Sequence, residues 1–126
     1  MPVKAKTLLQ DEGLLFLAEG VRITVYYKLF KAPGKYFRNK RETAWGSLGV
    51  SQKRIIGYVM RRRAVHLPLD REEVKSIKLS LVDNKVFVIE MDPSVSDPRR
   101  SGSIEIRYHT SRAPEVYRLI KELISR

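Results

Sequence analysis

Alternation of apolar and polar residues constrains the fold of this chain more than any other feature. Over residues 21–30, every second side chain is large and apolar, and the residues between them include Arg22, Thr24 and Lys28. A period of two is typical of a β-strand that buries one face. We therefore predict a long strand here. Its buried face carries Val21, Ile23, Val25, Tyr27 and Leu29, and Phe30 lies on the opposite face.

The same period recurs in shorter stretches along the rest of the chain. Further strands are predicted over residues 44–50, 54–60, 65–67, 77–81, 87–91 and 104–108. Asp83 and Asn84 suit a tight hairpin turn, because both residue types tolerate left-handed backbone angles. The stretch from Asp92 to Gly102 contains two prolines and is predicted to be a loop.

One amphipathic helix is predicted at the end of the chain. Pro114 fits a first helical turn, and the apolar residues that follow at helical spacing are Val116, Leu119, Ile120, Leu123 and Ile124. About seven strands followed by one helix indicate a mainly β fold, a curved antiparallel sheet or open barrel capped by that helix. We assign the domain to residues 21–126. Residues 1–20 form a lead-in in which Leu8 to Leu17 is either a short helix or extended.

The net charge of +11 is concentrated in one third of the chain. Residues 22–63 contain twelve basic side chains and one acidic side chain, Glu42, whereas the remaining segments contain equal numbers of each. Such asymmetry is typical of proteins with an anionic partner, either nucleic acid or a membrane surface. The alternative is a charged surface that serves solubility.

The composition also bears on compartment. The chain has no cysteine, which excludes disulfides and thiolate metal sites and fits a reducing compartment. The longest apolar stretch near the start, Leu14 to Ala18, is too short to span a bilayer or to act as a signal-peptide core. The sequence therefore predicts a cytoplasmic protein, and it leaves open a peripheral association with the membrane.

Two stretches of sequence resemble the pleckstrin-homology-like (PH-like) fold, most closely its bacterial and GRAM-type branches. In Gly49 to Tyr58 a strand ends in a short polar turn, and Arg54 opens the next apolar strand. The same family has a segment in which a Pro-Leu step is followed by an isoleucine. The stretch from Val65 to Leu69 and then from Val74 to Ile77 is similar to this segment. With the terminal helix, the resemblance covers roughly residues 21–125. It implies a PH-like sheet of about seven strands capped by the helix.

The resemblance also implies a ligand site at the open end of the fold, formed by the loops after strands one, three and six. The basic residues that these loops would hold are Lys31, Lys35, Arg38, Lys40 and Arg41, then Arg61, Arg62 and Arg63, then Arg99 and Arg100. Lys28 and the pair Arg38 and Lys40 come close to the family's lipid-binding pattern, with lysine in place of an arginine. Guanidinium and ammonium groups converging in one place suit phosphate oxygens.

The expected partners are anionic membrane headgroups or an acidic protein surface. Nucleic acid is an alternative, because Tyr26, Phe30, Tyr36, Phe37 and Trp45 lie among the basic residues and could stack bases. Ordinary packing in the sheet and core explains the same aromatic residues. A homo-oligomer that pairs through an exposed strand edge is also left open.

No residue pattern in the chain indicates an enzyme, a metal site or a cofactor. His66 and His109 occupy outward strand positions without metal-ligand spacing, so we expect them to be solvated surface residues. Asp92 and Asp97 are expected to form turns. We therefore predict a non-enzymatic binding module with no catalytic residue and no cofactor.

Overall fold

The computed structural model describes residues 1–126. It contains two α-helices and seven β-strands. In chain order these are α1 (Val3–Asp11), β1 (Leu14–Ala32), β2 (Lys35–Ser51), β3 (Arg54–Val59), β4 (Arg62–Pro68), β5 (Lys78–Val82), β6 (Val86–Met91), β7 (Ser101–His109) and α2 (Ala113–Ser125). Short 3₁₀ turns occupy Glu72–Ser76 and Pro93–Val95.

All seven strands belong to one antiparallel sheet in the order β4-β3-β2-β1-β7-β6-β5. The sheet is open, because β4 and β5 lie at its two edges and do not pair with each other. The prediction of a mainly β fold with a curved sheet of about seven strands and a C-terminal helix is confirmed. The predicted hairpin turn at Asp83 and Asn84 is also present, and both residues have positive φ.

The core lies between the concave face of the sheet and α2. Val25 of β1 and Ile106 of the neighbouring strand β7 are fully buried in it. Helix α2 contributes Val116, Ile120 and Leu123. The helix contacts β5, β6 and the first 3₁₀ turn, so it packs at one end of the sheet. Leu119, predicted on the same stripe, is only half-buried against this core.

The N-terminal residues have more regular structure than the sequence predicts. Helix α1 packs on β2, where Leu9 is fully buried, and β1 begins at Leu14 rather than at Val21. A register shift between Ala18 and Val21, with φ of +64° at Gly20, interrupts the alternation. This irregularity hides the first part of the strand from a pattern of period two.

The predicted faces of Leu29 and Phe30 are wrong. Leu29 adopts φ of +50°, and the pairing of β1 with β7 shifts register between Lys28 and Lys31. This bulge leaves Leu29 exposed and buries Phe30. Gly102 makes the bulge sterically feasible, because a Cβ at that position would lie 2.3 Å from the Leu29 carbonyl oxygen.

Most of the basic residues predicted to lie in loops belong to strands. Lys31 is in β1, and β2 begins at Lys35 because Pro33 and Gly34 alone form the turn, with φ of +73° at Gly34. β4 likewise begins immediately after Arg61. Of the predicted loop residues, those that extend strands are Lys31, Lys35, Arg38, Lys40, Arg41, Arg62 and Arg63. Arg99 and Arg100 do lie in the β6–β7 loop.

Replacing Ile120 by Ala should destabilise the protein by about 2–5 kcal/mol, because it opens a cavity where α2 meets the sheet. Leu119→Ala should cost less, since that side chain is only half-buried. Chemical denaturation of both variants would measure the difference. Equal losses would contradict this packing of the helix.

Replacing Gly102 by Ala should destabilise the protein more than replacing Gly20 by Ala. Both glycines have positive φ, and this strain alone costs about 1 kcal/mol. A Cβ at Gly20 meets open space, whereas one at Gly102 collides with the backbone of Leu29. A melting temperature for Gly102→Ala equal to that of Gly20→Ala would show that the bulge is not sterically constrained.

Candidate anion-binding site

Basic residues from three separated parts of the chain line a single cleft of about 440 Å³. Lys35 comes from the start of β2, Arg62 and Arg63 from the start of β4, and Arg99 and Arg100 from the β6–β7 loop. We refer to this site, which also includes Asp97, as the basic cleft. The curvature of the sheet brings β4 opposite the β6–β7 loop, so segments distant in sequence form its two walls.

Aromatic side chains form much of the floor of the basic cleft. The rings of Phe30 and Phe37 are stacked with their centroids 5.9 Å apart, and the Tyr27 ring meets Phe30 edge-on at 5.0 Å. Val59 and Ile104 add to the apolar lining. The cations of the rim therefore lie beside an apolar surface, where electrostatic attraction is less screened than in open water.

Two carboxylates neutralise part of the positive charge. Arg62 donates a hydrogen bond to Glu42, which also accepts one from the Tyr27 hydroxyl at 3.2 Å. Asp97 pairs with Arg99 at 3.0 Å and with Arg100 at 3.6 Å.

The hydrogen bonds from Arg99 lower the pKa of Asp97 to about 2, so this carboxylate stays ionised at more acidic pH than an ordinary aspartate does. Lys35 and Arg63 have no carboxylate partner in the structure. They are the two cations of the basic cleft that remain available to an anion.

A second, polar cleft of about 400 Å³ adjoins the first and shares Arg63, Asp97, Arg99 and Arg100 with it. It adds His66 and Ser96. The backbone N–H of His66 donates a hydrogen bond to the Ser96 hydroxyl at 3.2 Å, which ties β4 to the β6–β7 loop. Arg63 can therefore face an anion in either cleft.

His66 is not the solvated surface residue that its strand position predicts. It is half-buried, and its Nε2 lies 3.2 Å from an Arg54 guanidinium nitrogen. Arginine can only donate, so Nε2 accepts this bond and the ring is neutral. Arg54 also makes a bidentate pair with Glu12, at 2.7 and 2.8 Å. Burial lowers the pKa of His66, and the nearby charges of Arg63, Arg54 and Arg71 lower it further.

The other predicted site residues lie outside the basic cleft. These are Lys28, Lys31, Arg38, Lys40, Arg41 and Arg61, all of which are exposed. Several of them stack on aromatic rings, with Lys40 4.2 Å from the Phe37 centroid, Lys31 5.8 Å from Tyr36 and Arg41 5.9 Å from Tyr26. Those in β1 and β2 give the hairpin an exposed, positively charged surface outside the basic cleft.

Three further observations concern other kinds of site. No group of three or more histidine, aspartate or glutamate side chains is arranged to hold a metal ion. His109 is exposed, but its Nε2 lies 3.0 Å from the Thr24 hydroxyl. Neither helix has the length and apolar character needed to cross a membrane.

Comparison with known proteins gives no match, either to a protein-family model or to a curated protein.

The lowered pKa of His66 predicts a pH-dependent stability. As pH falls from about 7 to about 5, the unfolded chain takes up a proton on His66 before the folded protein does, so the free energy of unfolding decreases. His66→Gln keeps an acceptor for Arg54 but removes this titration. Melting temperatures should therefore depend less on pH in the variant than in the wild type. An unchanged slope would mean that His66 titrates alike in both states.

Proposed function

We propose that this chain is a non-enzymatic binding module of PH-like fold that docks its basic cleft on anionic membrane headgroups. The observation that carries the proposal is the convergence of Lys35, Arg62, Arg63, Arg99 and Arg100 on one cleft from three separate segments. Glu42 and Asp97 neutralise only part of this charge, so the cleft keeps an excess of positive charge that attracts an anion.

The PH-like part of the proposal is supported by the order of elements. Seven antiparallel strands form one open sheet, and a single amphipathic helix follows the last strand. This is the arrangement that the resemblance of residues 21–125 implies.

The size and chemistry of the basic cleft fit a phosphate-bearing headgroup. Its volume of about 440 Å³ suits a small ligand, and arginine side chains can bind phosphate oxygens in a bidentate manner. Each basic residue near an anionic membrane contributes about 1 kcal/mol at low salt. The exposed lysines and arginines around the β1–β2 hairpin would add to this attraction.

Nucleic acid is a second candidate ligand, supported by a different surface. The register of β1 with β2 and β7 aligns Arg22 with Trp45 and His109, and Tyr26 with Arg41. Trp45 is 65% exposed, and exposed aromatic residues between cations can stack bases. Mutations in the basic cleft would leave binding at this surface largely intact.

Lys35→Gln combined with Arg63→Gln should weaken binding to phosphatidylserine–phosphatidylcholine vesicles, because these are the unpaired cations of the basic cleft. The matched control is Lys4→Gln with Lys85→Gln, which removes the same charge from exposed residues outside the cleft. Vesicle sedimentation should show roughly tenfold weaker binding for the cleft variant and a smaller change for the control. Raising the salt concentration should weaken the vesicle binding of both variants.

Equal losses of vesicle binding in the two variants would show that the attraction is diffuse electrostatics and does not depend on the basic cleft. Absence of wild-type binding to anionic vesicles at low salt would overturn the membrane proposal. Retained binding to a single-stranded oligonucleotide under the same conditions would then favour the nucleic-acid surface.

A further inference from the structure

Two large apolar side chains lie exposed near the end of the β1–β2 hairpin. Leu29 is 54% exposed and Tyr36 is 55% exposed. Tyr36 pairs with Lys31, two residues beyond Leu29, so both side chains belong to one short segment. Their neighbours Phe30 and Phe37 turn the other way, into the floor of the basic cleft. We refer to Leu29 and Tyr36 as the apolar tip.

The backbone of the fold holds Leu29 in this exposed position. Its φ of +50° is rare for a bulky residue without a hydrogen-bonding side chain. The conformation persists because the bulge is packed against Gly102, whose lack of a side chain admits the Leu29 carbonyl. Strain retained at an exposed apolar residue is characteristic of a functional position.

The charged residues of the hairpin next to the apolar tip are all basic. Between Glu19 and Glu42 the chain has no acidic residue, and Lys28, Lys31 and Arg38 are exposed next to the tip. Exposed apolar side chains beside exposed cations complement the interface of an anionic bilayer. The cations bind headgroups there, while leucine and tyrosine enter the boundary with the acyl chains.

We propose that the apolar tip inserts Leu29 and Tyr36 into the interfacial region of an anionic membrane while the basic cleft holds a headgroup. This proposal rests on the membrane function proposed above. The geometry allows both contacts at once, because Lys35 and Phe37 line the cleft and Tyr36, between them in β2, is directed to the other side. With the end of the hairpin in the interface, the apolar tip would reach the boundary with the acyl chains while the cleft beside it stays among the headgroups.

The variant Leu29→Asn tests membrane insertion without weakening the fold. Asparagine tolerates positive φ better than leucine does, so the variant should be at least as stable as the wild type. It should nevertheless bind phosphatidylserine–phosphatidylcholine vesicles roughly tenfold more weakly, because asparagine lacks the favourable free energy that leucine gains on transfer from water to the membrane. The control is Val82→Asn, which changes a 39% exposed residue in β5. Its vesicle binding should equal that of the wild type.

Fluorescence quenching by lipids brominated on their acyl chains tests insertion directly. Trp45 is the only tryptophan, and it lies nine residues beyond Tyr36 in β2, about 30 Å along the strand. The wild type should therefore be quenched little. The double variant Tyr36→Trp and Trp45→Phe should be quenched strongly and should shift its emission to shorter wavelength.

The outcomes distinguish this inference from the membrane function itself. If the wild type binds vesicles, but the introduced indole is unquenched and Leu29→Asn binds normally, insertion is overturned while headgroup binding stands. If the wild type does not bind vesicles, both are overturned. Conversion of a wild-type dimer to a monomer by Leu29→Asn, without any change in vesicle binding, would assign the tip to self-association and overturn insertion.

Discussion

The central strand β1 hydrogen-bonds to β2 along one edge and to β7 along the other, so its nineteen residues join the two halves of the sheet. The turn at Pro33 and Gly34 sets the register of the β1–β2 pair. Ala32 pairs with Lys35 and, as a consequence, Phe30 pairs with Phe37. The floor of the basic cleft and the exposure of Tyr36 on the opposite side both follow from this register, since a shift of one residue would exchange the two faces.

Local patterns predicted the seven strands and helix α2 in their correct order, whereas they left the structure of helix α1 open. Seven alternating segments, a turn at Asp83 and an apolar stripe from Val116 are signals that a few neighbouring residues carry on their own. The exposure of Leu29 could not be predicted in this way. It depends on Gly102, in a strand more than seventy positions later, which accommodates the bulge. A contact between distant segments leaves no trace in the periodicity of either segment.

The candidate site was predictable in composition but not in geometry. The PH-like resemblance implied that basic segments after three strands would meet, and five of the eleven named residues do line one cleft. Strand extension moved others, such as Arg38 and Arg41, onto the hairpin surface. Asp97 was expected only as a turn former, and it does accept a hydrogen bond from the Arg99 backbone, yet it also neutralises charge in the cleft. Predicting this second role would require knowing that the β6–β7 loop faces β4.

The positions of two carboxylates determine which cations of the basic cleft are paired and which are free. Glu42 pairs with Arg62, and Asp97 pairs with Arg99 and Arg100, so three of the five cations of the basic cleft are partly neutralised. Lys35 and Arg63 are left without such partners. Both side chains are exposed, so an anion entering the basic cleft would meet them without displacing a carboxylate. An anion that the folded state alone binds would stabilise the fold by mass action, because the unfolded chain does not bring the segments of the cleft together.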